Sequence, residues 1–180
     1  YPHFEGREFW QKHLGHPHHV MGEYIPSWVA HATDYSEMRD ELNSLWDGTS
    51  EYGIIKRPQL TLKLNILRQV FPEAVYIGIT RELLPNMYSL WKMQSRMEQD
   101  MEWNDAAWGE MVEMGVEMPQ YNGIMCPFWR EFLSTEKAMQ LQAWLWQYYY
   151  INNVMRVNDV FTVSYEDLVD NTQLTLNVIG

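Results

Sequence analysis

The chain has 180 residues, 46% hydrophobic and 21% charged, and its 13 basic and 24 acidic side chains leave a formal charge of −11. That length suits one domain with a sizeable core, and the acidic balance argues against a nucleic-acid-binding surface while allowing a small anion held by a few focused cations. Nothing approaches the roughly 18 consecutive apolar residues of a membrane-spanning helix, no signal-peptide pattern opens the chain, and the single cysteine, Cys126, excludes an intrachain disulfide and suits a reducing, cytoplasmic setting.

All six histidines, His3, His13, His16, His18, His19 and His31, fall in the first 31 residues. "REFWQKHLG" has helical character with Gly15 as its cap. From Ser36 to Trp46 the apolar positions Met38, Leu42 and Leu45 or Trp46 share one helix face. "YGIIKRP" is a short apolar run ending in Lys56 and stopped by Pro58, which predicts a strand. "QLTLKLNILRQVF" spaces Leu60, Leu64, Leu67 and Phe71 as a helix does, and "PEAVYIGIT" predicts a buried strand leading into Arg81. A helix follows from Leu84 to about Met97, then an acidic helix in "DMEWNDAAWGEMVEMG" and a loop in "VEMPQYNGIMCPFW". "STEKAMQLQAWLWQYYYINNVM" predicts a long helix capped by Ser134 or Thr135. Its Trp144, Trp146, Tyr148, Tyr149 and Tyr150 fall on every face, which implies burial on several sides. "DVFTVSYEDLV" predicts a third strand and "DNTQLTLNVIG" a last helix.

Strand, helix and strand in quick succession make a βαβ unit, so the expected class is α/β with parallel strands and right-handed crossovers. Ligands of such sheets sit at the carboxyl ends of the strands. Three ends then matter: Lys56, Arg81 and Ser164–Tyr165–Glu166. An arginine at such an end offers a planar fork to phosphate. The helix that follows Arg81 turns its N–H groups and positive dipole end to the same space, and Ser89, eight residues after Arg81, adds a hydroxyl. Lys92 and Arg96 follow on that helix. The plain alternative pairs Arg81 with Glu82 or a surface acid and leaves Ser89 solvated.

"FPEAVYIGITRELLPNMYS" resembles the 3′-phosphate-binding segment of the sulfotransferases that use 3′-phosphoadenosine 5′-phosphosulfate (PAPS): Phe71–Pro72, a hydrophobic strand, Arg81, then Ser89. "IIKRP" resembles that family's strand ending in a lysine, and "FTVSYEDLVDNTQLTLNVIG" its strand and "YEDL" segment. The three matches occur in the family's order over residues 51 to 180. The resemblance implies a P-loop NTPase-like sulfotransferase fold, a central parallel sheet flanked by helices. It also implies PAPS as sulfuryl donor, Arg81 and Ser89 on the 3′-phosphate, Tyr165 against the adenine and Lys56 beside the reacting group. The acceptor would be a hydroxyl or amine of a small molecule, lipid or carbohydrate. The family's glycine-rich phosphosulfate loop is not seen, and the histidine some members carry two residues after the strand lysine is here Pro58. The expectation is therefore one sulfotransferase-like domain over residues 1–180, cut at both ends.

Sulfuryl transfer needs a base for the acceptor proton. The resemblance to the carboxylate-using branches points to Glu5 or Glu8, with Glu5 preferred; both also serve as acids complementing a helix N-terminus. "HPHH" with His13 offers imidazoles to a transition metal. No paired cysteines, H-E-x-x-H or defined carboxylate spacing accompany it, so no metal is expected. Two rival functions stand beside the sulfotransferase. A nucleotide-dependent kinase needs a Walker-type loop, which is not visible. A non-catalytic carbohydrate- or protein-binding module on a degenerate fold would use the tryptophan-rich surface.

Overall fold

The computed structural model describes residues 7–14, 34–45, 54–100, 124–132 and 136–179. In chain order these form α1 (Arg7–Leu14), α2 (Ser36–Leu45), a 3-10 turn (Pro58–Lys63), α3 (Leu64–Val70), β1 (Ile77–Thr80), α4 (Leu83–Asp100), a second 3-10 turn (Trp129–Phe132), α5 (Lys137–Val157), β2 (Phe161–Ser164), α6 (Tyr165–Asp170) and α7 (Thr172–Ile179). The described part is thus α/β, mostly helical, with a two-stranded parallel sheet. Among the described residues no helix is long and apolar enough to cross a membrane.

Helical periodicity builds the first core. Phe9, Trp10 and Leu14 of α1, Met38 of α2, and Leu60, Ile66, Leu67 and Val70 around α3 bury one another, with Tyr35, Leu42, Phe71 and Tyr76 packed at the margin. A second cluster joins Leu62, Ile124 and Cys126 to Trp146, Tyr150 and Ile151 of α5. Burial pushes the Cys126 thiol up to about 12, so it stays protonated and behaves as a small apolar side chain.

Several expected elements shift. Residues 54–57 carry no strand; Ile54, Ile55 and Lys56 are exposed. Arg57 is extended (φ −152°, ψ 115°), as a residue before proline must be, and Pro58 opens a helical turn where its missing N–H costs nothing. The expected single helix over 59–71 is a 3-10 turn running into α3. The cap of α5 is Glu136, which makes no side-chain capping bond; Ser134 and Thr135 lie outside the described residues, as do Gly15 and residues 101–115 of the expected acidic helix, whose first residue, Asp100, ends α4. The strand before Arg81 is shorter than its apolar run and is not buried on both faces: Gly78 is buried, whereas Ile77 and Ile79 stand 46% and 62% exposed.

The register pairs Ile77 with Phe161, Gly78 with Thr162, Ile79 with Val163 and Thr80 with Ser164. Tyr76 carbonyl starts the ladder by accepting from Phe161 N–H at 3.1 Å. Gly78 matters for closeness: a Cβ there would come 2.6 Å from Met155 Sδ and 3.2 Å from Val160 Cγ1, so α5 rests directly on β1. The last residues of both strands, Thr80 and Ser164, end side by side. Everything that follows them, Arg81 from one strand and Tyr165 and Glu166 from the other, is delivered to one place.

Candidate functional site

Arg81 leaves the carboxyl end of β1. Its guanidinium lies over the Tyr165 ring, Cζ 4.9 Å from the centroid, a cation–π contact. Its Nε is 3.9 Å from Glu166 Oε1, too far for a hydrogen bond, and that buried Nε has no hydrogen-bond partner. The backbone beneath is fixed from a third element, because Tyr148 of α5 donates its hydroxyl hydrogen to the Arg81 carbonyl at 2.9 Å.

Glu166 is held elsewhere. Ser164 caps α6: its Oγ accepts from Glu166 N–H at 3.1 Å and Asp167 N–H at 3.3 Å. The same hydroxyl donates to Glu166 Oε2 at 3.0 Å, and Glu82 N–H donates to Glu166 Oε1 at 3.3 Å. Partial burial works to raise the Glu166 pKa. The hydrogen bonds from its own N–H, Ser164 and Glu82 N–H, together with the Arg81 charge, outweigh this and hold it below the usual carboxylate value.

The chemistry available is that of an anion-binding corner. An arginine with an unmet N–H, backed by an aromatic face, sits where α4 begins at Leu83. Pro85, third in that helix, supplies no N–H, so the first turn's donors come from its neighbours. An anion arriving here meets the guanidinium fork, and it also meets repulsion from Glu166 (30% exposed), the internal acid beside it.

Of the residues the sequence singled out, Arg81 and Tyr165 are brought into contact. Ser89 is exposed in the second turn of α4, and Lys56 is exposed ahead of the first 3-10 turn; neither takes part in the contacts described around Arg81. Glu5 lies outside the described residues; Glu8 falls in the first turn of α1, and its side chain is outside them too. The acid beside Arg81 is Glu166, from a strand end the sequence singled out, rather than Glu82; Tyr148, which was not foreseen at the site, reaches it from sixty-seven residues away. The S-x-E spacing of a capping hydroxyl and a returning carboxylate is the local signal for how Glu166 is held. No protein-family model, no curated protein and no solved structure matches the chain.

Proposed function

We propose that this chain belongs to a PAPS-dependent sulfotransferase with a P-loop NTPase-like sheet. It would work in the cytoplasm on a hydroxyl or amine of a small-molecule, lipid or carbohydrate acceptor. The observation that carries the reading is Arg81, at the carboxyl end of a parallel strand, with its guanidinium on Tyr165 and a buried Nε that has no hydrogen-bond partner. A 3′-phosphate would offer acceptor oxygens to the guanidinium, whose side chain is 35% exposed. Ser89, in the second turn of α4, would add a hydroxyl, and the exposed face of Tyr165 suits an adenine. In the reaction the acceptor oxygen or nitrogen bonds to sulfur as the bond from sulfur to the 5′-phosphate oxygen breaks. The acceptor proton passes to a base, Glu5 or Glu8, and Lys56 offsets the charge growing on the departing phosphate.

The test compares thermal stabilisation by 3′-phosphoadenosine 5′-phosphate with that by 5′-AMP, on wild type and Arg81→Ala. A preference for the 3′-phosphate that vanishes in the variant supports the reading. Equal stabilisation by both nucleotides, or an unchanged preference in the variant, counts against it. One observation favours the binding-module reading instead. Tyr88 and Trp91 stand exposed one turn apart on α4 with ring centroids 5.9 Å apart, a platform on which a sugar stacks. That reading predicts glycan binding indifferent to Arg81→Ala.

A further inference from the structure

The contact between α1 and α2 holds a second charged cluster, made of residues the Arg81 site does not use. Glu37 and Glu41 stand one turn apart on α2, and His13 meets them from α1; one ligand atom from each lies within 4.8 Å of the others. His13 Nε2 is 2.9 Å from Glu41 Oε2. Zinc bonds to nitrogen and oxygen run at about 2.0–2.2 Å, which sets tetrahedral ligand atoms about 3.4 Å apart. Small side-chain rotations therefore bring all three onto one ion.

The imidazole is already placed. Its side chain is only 7% exposed, and Phe9, one turn earlier, packs on the ring with centroids 4.7 Å apart. The space between the carboxylates already attracts a cation: the Lys12 ammonium lies 2.7 Å from Glu37 Oε1 and 2.6 Å from Glu41 Oε2. Lys12 is half exposed, and its flexible stem can carry the ammonium out into water. The ammonium is a point charge of one unit held by two carboxylates. A divalent ion carries twice that charge and uses the imidazole lone pair as well, which magnesium and calcium, with their preference for oxygen, do not.

We propose that His13, Glu37 and Glu41 form a binding site for a divalent transition-metal ion of the zinc type, which takes the place of Lys12 and pins α1 to α2. Water completes the coordination. The role is structural, and the sulfuryl chemistry proposed above does not depend on it. The site joins side chains from two helices, His13 and Glu41 lying twenty-eight residues apart in the chain, so no short sequence motif announces it.

The experiment is a zinc titration by calorimetry, with zinc ion alone as the probe, on chelator-treated full chain. Wild type, Glu41→Gln, the double variant Glu37→Gln/Glu41→Gln, and Lys12→Met are compared. Glutamine keeps the size of each side chain and its capacity to hydrogen-bond, so the helices are not at risk. Wild type is expected to bind zinc and to melt at a higher temperature with it. The glutamine variants should bind at least about tenfold more weakly, the low end of what losing even an outer-shell partner costs a metal site. Lys12→Met should bind more tightly than wild type, because the competing ammonium is gone. Zinc held by any other histidine would not respond to Glu37, Glu41 or Lys12. Unchanged zinc affinity in the double variant therefore overturns the site, as does a Lys12→Met variant that binds no better than wild type.

Discussion

Two regions of this molecule bring opposite charges together and finish the job differently. Between α1 and α2, Lys12 and His13 close onto Glu37 and Glu41 at 2.6 to 2.9 Å. At the end of the sheet, Arg81 and Glu166 stop at 3.9 Å, and Arg81 Nε is left with no hydrogen-bond partner. The reason lies in what holds each acid. Glu37 and Glu41 project from a helix surface and turn toward whatever cation is near. Glu166 is committed to Ser164 Oγ and to Glu82 N–H, so it cannot swing onto the guanidinium beside it. Neighbouring charge is therefore not the same as a closed ion pair. The first region closes its acids onto an internal cation, and in the second the cation and the acid stop short of hydrogen-bond distance.

The sharpest way to break this contrast is to disturb the strand that presents Arg81. Gly78→Ala places a methyl group 2.6 Å from Met155 Sδ, with Met155 itself buried. Overpacking of this kind costs about 1–3 kcal/mol; urea unfolding should show it, although alanine is otherwise the easier residue to order. Ser164→Ala comes next. It removes the cap of α6 and one of the two side-chain holds on Glu166, leaving the one from Glu82 N–H, and loss of such a cap costs about 1 kcal/mol. The loosened carboxylate is expected to move toward Arg81, so anion binding should weaken in the same variant. Tyr148→Phe removes one hydrogen bond to the Arg81 carbonyl, an effect of roughly 0.5–1.5 kcal/mol on stability, read by the same unfolding experiment.

The smallest effect is on pH dependence. Hydrogen bonding to Lys12 holds the pKa values of Glu37 and Glu41 below their ordinary range, and Glu166 is lowered as well. Such groups add stability above their unfolded pKa and lose it as pH falls through the folded value. Lys12, raised chiefly by its hydrogen bonds to Glu37 and Glu41, adds stability below its unfolded pKa and loses it as pH rises through the folded one. Melting temperature should therefore be level through neutrality and decline at both extremes. Glu37→Gln/Glu41→Gln should flatten the acid side more than Glu166→Gln does, and added salt should shrink the difference because these pairs are exposed.

The sequence was informative where one element decides the outcome. Leucine spacing announced α3, and a run of apolar residues ending in arginine announced β1 and the position of Arg81. The meeting of Arg81 with Tyr165 was legible because parallel strands deliver their carboxyl ends together. What stayed hidden depends on register and on partners distant in the chain. Pairing Thr80 with Ser164 is what brings the start of α6, and with it Glu166, beside Arg81. Tyr148 reads as one aromatic among five in α5 until the packing of that helix aims its hydroxyl at the Arg81 carbonyl. "IIKRP" looked like a strand because apolar runs do, yet nothing local supplies the ladder partner that a strand needs.

The most direct test of the proposed anion site at Arg81 is a calorimetric titration of 3′-phosphoadenosine 5′-phosphate into wild type, Glu166→Gln and Arg81→Ala at low salt. Glu166→Gln removes the internal acid's charge and leaves Arg81 in place, so it should bind most tightly, with wild type next and Arg81→Ala weakest. If Arg81→Ala binds as well as wild type, or Glu166→Gln binds worse, then Arg81 is not a cation held for an external anion and the account of this site is wrong.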